Sequence, residues 1–403
     1  MKILVISYHH NDKNSIGSVR TSFMQRLLPK YGIDVHVLTA GFHYKEITYE
    51  DNIISVRSNE FVSSKYALLK RKIKNLYGRI SNSHYMISDW ENIIIRRIDE
   101  IIIRSNPDII LCSYPPLWAI RLGLNIATIT NLPLITDFRD SFLINPIENG
   151  LGDMSSEKYH YYDKINSMVK EQSRLILCAS TDIYNSFDKN ESLNKVKLIY
   201  NGFDSLEYKP KYDYFDRRLI NILHTGRISL SERGTSIFGF SVGLLKSVRR
   251  MPALSKKIKF HFVGKLSLTE KLLLWPFRLI GIVELWGVVD RKDALCMQNN
   301  ADVLFLITKP MSKNAISGKL IEYVKLNKAI FALTSGSEAE AILRRAKIGI
   351  IAPPNDPNLI CDEICNIARL KYHNMAGDLD YINGFKDSVI SKNLSEMLLS
   401  LKK

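Results

Sequence analysis

The residues best placed to do chemistry lie in Ser317-Gly318-Lys319-Leu320-Ile321-Glu322-Tyr323. The apolar run Val303-Leu304-Phe305-Leu306-Ile307 comes before them, and a helix-like pattern through Leu320, Tyr323 and Val324 follows. A turn from a buried strand into a helix leaves backbone N–H groups unpaired, and the helix dipole adds partial positive charge there. Such a terminus accepts a phosphate. Lys319 adds a full charge, Glu322 lies one turn along on the same face, and Ser317 and Gly318 let the backbone approach a ligand. An anion cradle beside a carboxylate suits a molecule that is part phosphate and part sugar. Gly226-Arg227 and, a little further on, Arg233-Gly234 form a second basic set. Two guanidinium groups on one strand-to-helix loop can grip a diphosphate and offset charge on a leaving group.

The amino-terminal half carries a second group. Ile16-Gly17-Ser18-Val19-Arg20 follows the opening strand, and Gly17 there permits close backbone approach. Asp137-Phe138-Arg139-Asp140 ends another strand. Arginine stays protonated and cannot accept a proton, so any base in that segment is Asp137 or Asp140. An Asp–Arg pair that only stiffens the loop fits the same residues. His9-His10 reads as a hydrogen-bonded loop pair, although one ring could assist a hydroxyl.

The elements that must position these residues alternate. Strands are expected at Lys2–Ser7, Asp34–Thr39, Asp108–Cys112, Leu134–Asp137, Leu175–Ala179 and Lys197–Tyr200, with helices at Val19–Tyr31, Ile93–Ile103 and Leu117–Thr128. The βαβ rhythm predicts parallel sheets covered on both faces. It breaks near Tyr208–Arg218 and restarts with strands at Ile220–Thr225, Lys259–Val263, Val283–Trp286, Val303–Ile307 and Ala329–Leu333. The expectation is an α/β chain of two tandem Rossmann-like, doubly wound domains, 1–207 and 208–380, facing a cleft. An amphipathic helix within 381–403 would pack back on the first domain. Ligands in such sheets sit beyond the carboxyl ends of the strands.

The 403 residues are 46% hydrophobic, which supports sizeable cores and excludes wholesale disorder. A net charge of +15 favours an anionic partner without choosing it. Five scattered cysteines read as buried thiols in a reducing compartment, and no metal-ligand spacing is present. Leu272 to Val289 is the most apolar long stretch, but Pro276, Arg278 and Glu284 argue against a spanning helix. Lys65, Lys70, Arg71, Lys72, Lys74 and Arg79, with apolar residues at helical spacing, predict a basic amphipathic helix at 65–80 that could lie on an anionic membrane. A core-facing surface helix explains the same pattern. No nucleic-acid motif accompanies the charge, so nucleic acid is not an expected partner.

The second half resembles the donor-binding domain of retaining glycosyltransferases of family 4, which have the GT-B fold. The resemblance rests on Gly226-Arg227, Arg233-Gly234, Phe262-Val263-Gly264, Trp286-Gly287-Val288-Val289, Ala301-Asp302-Val303 and Gly318-Lys319-Leu320-Ile321-Glu322-Tyr323 with Lys328-Ala329-Ile330. The first half is similar to the acceptor domain, with Gly17 to Arg20 at the loop near the donor phosphates. Asp137 to Asp140 resembles the Asp-x-Arg-Asp segment of bacterial members that build surface polysaccharides; many other members carry His where Arg139 stands. In the family's two-glutamate motif Glu322 matches the second acid, assigned to the ribose, while the first position is Asn314. Arg233 stands where lysine is usual.

The resemblance implies transfer of a sugar, with retention, from a nucleotide-diphosphate sugar to a glycan or polyprenyl-diphosphate-linked acceptor. It implies no cofactor and no metal. The implied donor site is Gly17, Arg20, Gly226, Arg227, Arg233, Asn314, Ser317, Gly318, Lys319 and Glu322. The implied catalytic set is Asp137, Arg139, Asp140, Arg227 and Lys319. A cytoplasmic enzyme, peripheral on the inner face of the cell membrane, is the matching location. A GT-B-fold epimerase or hydrolase, and a scaffold without chemistry, are the rival readings.

Overall fold

The computed structural model describes residues 1–11, 16–41, 43, 45–58, 88–140, 156–188, 194–204, 213–229, 235–309, 316–370 and 375–401. Arg233, Gly234, Asn314 and the basic helix expected at 65–80 lie outside the described residues. The chain divides into two compact units, Met1–Gly202 with Asp387–Lys403, and Phe203–Lys386.

In the first unit β1 (Lys2–Ile6), β2 (Asp34–Gly41), β3 (Ile47–Glu50), β4 (Ile53–Arg57), β5 (Ile109–Tyr114), β6 (Leu134–Phe138), β7 (Ser173–Cys178) and β8 (Val196–Leu198) form one sheet. Its order is β3-β4-β2-β1-β5-β6-β7-β8. All neighbours run parallel except β3 with β4. Ile3, Leu4, Val5 and Ile6 are all buried, as a parallel strand covered on both faces requires. The β3–β4 hairpin has no counterpart in the sequence reading. β3 is only half-buried, so it lacks the apolar run that marks the others, and pairing with β4 is what makes it a strand. The helix expected over 93–103 is two, Asp89–Arg96 and Ile98–Ser105, separated at Arg97 (φ −115°, ψ 18°). The terminal helix Asp387–Ser400 belongs to this unit: Ile390, Leu394 and Leu398 share a core with Ile3, Val35 and Leu111.

In the second unit β9 (Ile220–Thr225), β10 (Ile258–Val263), β11 (Val283–Gly287), β12 (Val303–Ile307), β13 (Ile330–Leu333) and β14 (Gly349–Ala352) form an all-parallel sheet. The order is β11-β10-β9-β12-β13-β14. β14 is a further strand absent from the sequence reading; it is four residues long and only alternately buried. Phe305 stacks on Phe331 with centroids 5.2 Å apart, and Phe240 meets Phe260 edge-on at 4.9 Å. Each buried ring contributes roughly 2–3 kcal/mol by apolar transfer, so these aromatics hold the sheet to its covering helix Phe238–Arg250. The apolar stretch 272–289 is a helix, Leu268–Leu279, running into β11. Among the described residues no helix is long and apolar enough to cross a membrane. All five cysteines are buried and free.

Both sheets reverse direction of growth. From β9 the chain adds β10 and β11 on one side, then returns to place β12, β13 and β14 on the other. The switch point lies between β9 and β12, and in the first unit between β1 and β5. Chain segments leaving adjacent strands there diverge and open a crevice at the carboxyl ends.

Candidate functional site

The carboxyl end of β9 and the helix Gly318–Lys325, which follows β12, meet at the switch point of the second unit. Ser317 caps that helix, its hydroxyl accepting the Leu320 N–H at 3.3 Å, so the chain enters helical geometry at Gly318. Leu320, Ile321, Tyr323 and Val324 are buried, which fixes the face on which Lys319 and Glu322 sit. Tyr323 ties the helix to the strand: its hydroxyl accepts the Thr225 N–H at 2.9 Å and lies 3.1 Å from Thr225 Oγ1. Gln298 Nε2 donates to the same Thr225 hydroxyl at 3.0 Å.

Lys319 reaches across to β9. Its Nζ donates to the backbone carbonyl of Arg227 at 3.2 Å and to His224 Nε2 at 3.3 Å. His224 is buried, and its Nδ1 lies 2.9 Å from the Phe305 carbonyl. A carbonyl only accepts, so Nδ1 carries the proton and Nε2 presents a lone pair to the ammonium. Burial, reinforced by the Lys319 charge, pushes His224 well below its usual pKa. Burial also pushes the Lys319 ammonium down to about 8, with Glu322 pulling the other way. Gly226 (φ +93°) holds a backbone conformation that side-chain-bearing residues rarely adopt, and the Lys319 stem packs alongside it. Gly264 (φ +134°) backs it up, since a Cβ on that residue would fall 2.4 Å from the Gly226 carbonyl oxygen.

The loop beyond β9 has its own anchor. Glu270 is buried, and its Oε1 accepts both the N–H (2.9 Å) and the hydroxyl (2.6 Å) of Ser229. Its Oε2 accepts the Ser267 N–H at 2.6 Å, completing a capping box on the helix Leu268–Leu279. Burial tends to raise the Glu270 pKa, but the Ser229 and Ser267 hydrogen bonds win and hold it below the ordinary value. Glu322 is half-buried and takes a 2.6 Å bond from Arg291, the first residue of the helix Arg291–Asn300.

Gly226, Arg227, Ser317, Gly318, Lys319 and Glu322 thus gather at one sheet edge. The remaining described candidates form a separate group in the first unit, and it has a different character. Gly17 and Arg20 lie on the first helix, Ile16–Leu27. Arg20 is buried, and its guanidinium is engaged by groups of its own unit. Its Nε and Nη2 pair with the two oxygens of Asp137 at 3.1 and 2.8 Å, and its Nη1 donates to the Ile199 and Tyr200 carbonyls at 2.9 Å. Asp137, fully buried, also accepts from Ser113 Oγ at 2.9 Å. Arg139 Nε donates to Ser113 Oγ at 3.0 Å and its Nη2 to the Pro115 carbonyl at 3.1 Å. These contacts are of the stiffening kind weighed for the Asp-x-Arg-Asp segment, with Arg20 as the partner of Asp137. Asp140 is exposed at the end of β6. His10 is also buried in hydrogen bonds, to Thr21 Oγ1 at 2.9 Å and Gln25 Oε1 at 3.0 Å.

Sequence reading passed over His224, Gln298, Glu270 and Arg291. His224 did leave a signal: a histidine inside Ile220-Asn221-Ile222-Leu223-His224-Thr225 interrupts an apolar run. Ser267 and Glu270 have capping-box spacing. Nothing local marks Gln298 or Arg291, whose partners come from distant strands and helices. Among the described residues no group of three or more His, Cys, Asp or Glu side chains is placed to hold a metal.

No protein-family model matches the chain, and no curated protein does. Solved structures do. Sucrose-phosphate synthase from Thermosynechococcus elongatus is similar over 100% of this chain and 99% of its own, at 12% identity and a TM-score of 0.65. The lipopolysaccharide outer core galactosyltransferase WaaB is similar over 100% of both chains, at 13% identity and a TM-score of 0.61. Anabaena HepE, solved with UDP and glucose, is similar over 99% of this chain and 100% of its own, at 14% identity and a TM-score of 0.60. Full-length similarity to these structures, with two doubly wound parallel-sheet units in series, shows that the chain has the GT-B fold.

Proposed function

We propose that the chain is a glycosyltransferase that takes a sugar from a nucleotide-diphosphate donor, and that the second unit holds the donor. The observation that carries this reading is the Lys319 ammonium, fixed by His224 and the Arg227 carbonyl beside the capped start of a helix. A helix N-terminus, an ammonium and the exposed Arg227 together suit a pyrophosphate. Glu322, steadied by Arg291, keeps a carboxylate one turn from Lys319 for a ribose hydroxyl. Arg233 and Asn314 complete the proposed donor contacts. UDP and glucose in the HepE structure, and the galactosyltransferase activity named for WaaB, support a UDP-sugar as the donor. Fold similarity alone does not choose a chemistry; the placed charges support this one.

In the proposed reaction the bond between the anomeric carbon and the diphosphate oxygen breaks, its electron pair leaving on the phosphate. Arg227, Lys319 and the Gly318 turn amides stabilise that charge, and the acceptor oxygen forms the new bond to carbon. Asp140 is the carboxylate of its segment proposed to take the acceptor proton, because it is exposed whereas Asp137 is buried and paired with Arg20. Retention of configuration, a glycan or polyprenyl-diphosphate-linked acceptor, a place in bacterial surface-polysaccharide synthesis and attachment to the inner membrane face belong to the same proposal.

Titration calorimetry with UDP, followed by mass spectrometry of products from UDP-sugars and lipid-linked acceptors, tests the reading. Lys319→Ala and Arg227→Ala are expected to lose UDP affinity and turnover by about tenfold or more while staying folded. Unchanged turnover in folded variants would remove the site. A free sugar or an epimerised nucleotide sugar as the sole product would replace transfer with hydrolysis or epimerisation.

A further inference from the structure

The helix Leu268–Leu279 is apolar on two opposite faces. Its inner face buries Leu274 and Phe277, with Glu270 satisfied beneath it. Its outer face carries Leu268 (79% exposed), Leu272 (73%), Trp275 (52%) and Leu279 (71%). Those four recur at the spacing of one helical stripe, along a cylinder about 18 Å long. Ile280, 48% exposed, extends the apolar surface past the last turn. A helix on the surface of a globular unit ordinarily presents polar residues there. Large apolar side chains in a contiguous stripe mark a contact surface, whereas scattered ones mark nothing.

Charge identifies the occupant. Lys271 and Arg278 flank one side of the stripe, both exposed, and the Arg278 guanidinium sits 5.6 Å from the centre of the Trp275 ring. Lys265 is exposed just before the helix. From Lys265 to Val283 the only acid is Glu270, which is buried and bonded to Ser229 and Ser267. Within this segment the exposed charges beside the apolar stripe are therefore all cationic, in a chain of net charge +15. A protein partner built for this stripe would need a matching apolar groove. An anionic bilayer supplies an apolar phase and negative headgroups at once. Leucines then enter the acyl boundary, tryptophan sits at headgroup level, and Lys271 and Arg278 extend their stems to reach lipid phosphates.

We propose that the helix Leu268–Leu279 docks the second unit onto an anionic lipid surface, lying in the plane of the interface with its Leu268-Leu272-Trp275-Leu279 stripe immersed. This surface differs from the basic segment at 65–80 and does not depend on the glycosyltransferase reading. Co-sedimentation of the full chain with vesicles of phosphatidylcholine, alone or mixed with phosphatidylglycerol, tests it. Binding is expected for the mixed vesicles and to weaken with salt. Leu272→Glu combined with Leu279→Glu should lower partitioning by about tenfold or more. Lys271→Gln combined with Arg278→Gln should weaken binding and flatten its salt dependence. Brominated lipid should quench tryptophan fluorescence in the parent chain, and Trp275→Phe should remove most of that quenching. The replaced side chains are all exposed, so an unchanged denaturation midpoint serves as a check that the variants keep their fold. Absence of vesicle binding by the parent chain overturns the proposal. So does unchanged binding by the double leucine variant, or loss of binding only when Lys70, Arg71 and Lys72 are replaced by glutamine. A parent dimer that the leucine variant converts to monomer, with vesicle binding intact, would assign the stripe to a second copy instead.

Discussion

Lys319 and Arg20 are both cations in predicted ligand loops, yet their surroundings give them opposite roles. Arg20 spends its guanidinium on Asp137 and two carbonyls. Arg20→Ala leaves a buried carboxylate unpaired, and a loss of about 3–5 kcal/mol is expected. Chemical denaturation measures it, with UDP affinity expected to stay at the parent value; a stable variant with weakened UDP binding would restore Arg20 to the donor site. Lys319 instead has a pKa held near 8 by burial. Its ammonium is therefore lost as pH rises through about 8, and UDP affinity should fall with it, by up to roughly tenfold per pH unit. Calorimetry at pH 7, 8 and 9 checks this, with Lys319→Met expected to bind weakly and to lack the step. Because the native pKa lies below the unfolded value, the unfolded chain binds the extra proton between these two values. The parent should thus gain stability as pH rises through that window, and Lys319→Met should not.

Elements bring the site residues together through a few ties. The helix Gly318–Lys325 is pinned to β9 by Tyr323 and Thr225, and the loop after β9 is pinned to the helix Leu268–Leu279 by Glu270 and Ser229. Glu270 acts through the loop and never needs to touch a ligand. Glu270→Ala removes a cap, costing about 1 kcal/mol, and leaves Ser229 donors unsatisfied, costing about 1–3 kcal/mol more. UDP affinity should fall as well, because the backbone that carries Arg227 loses its anchor. Denaturation and calorimetry on Glu270→Ala and Ser229→Ala separate the two effects: Ser229→Ala keeps the capping box and should show the smaller stability loss. An unchanged UDP affinity in Glu270→Ala would mean that the loop holds its shape without the tie.

At the scale of the molecule, both units keep buried histidines neutral. Burial lowers the pKa of His10 in the first unit and of His224 in the second. His261 is pushed down to about 4 by burial, against the pull of Glu284, and its Nδ1 accepts the Trp286 indole N–H at 3.2 Å. Below the unfolded value near 6.5 the unfolded chain takes up protons that the native one refuses. Stability should therefore fall as pH drops from about 6.5 towards 4, by up to roughly 1.4 kcal/mol per pH unit for each such histidine. Denaturation midpoints at pH 7, 6 and 5 test this, and His261→Gln should soften the slope. Equal midpoints at all three values would contradict it.

Much of the architecture was legible before any coordinates, because a strand buried on both faces must be an unbroken apolar run. Lys2–Ile6, Val303–Ile307 and Ile330–Leu333 could be read directly, and so could the glycines at Gly226 and Gly318. β3 could not, since a half-buried edge strand needs little apolar content, and β14, though apolar, is only four residues long. The sequence alone determined which residue types stand at strand ends, and hence that basic groups border a parallel sheet. Only the tertiary structure decided what each group faces. It gave Arg20 a buried carboxylate, Lys319 a histidine lone pair and Glu322 an arginine. Those partners lie far along the chain, and the energy of a charge depends on its neighbours in space and on its burial, neither of which local spacing encodes.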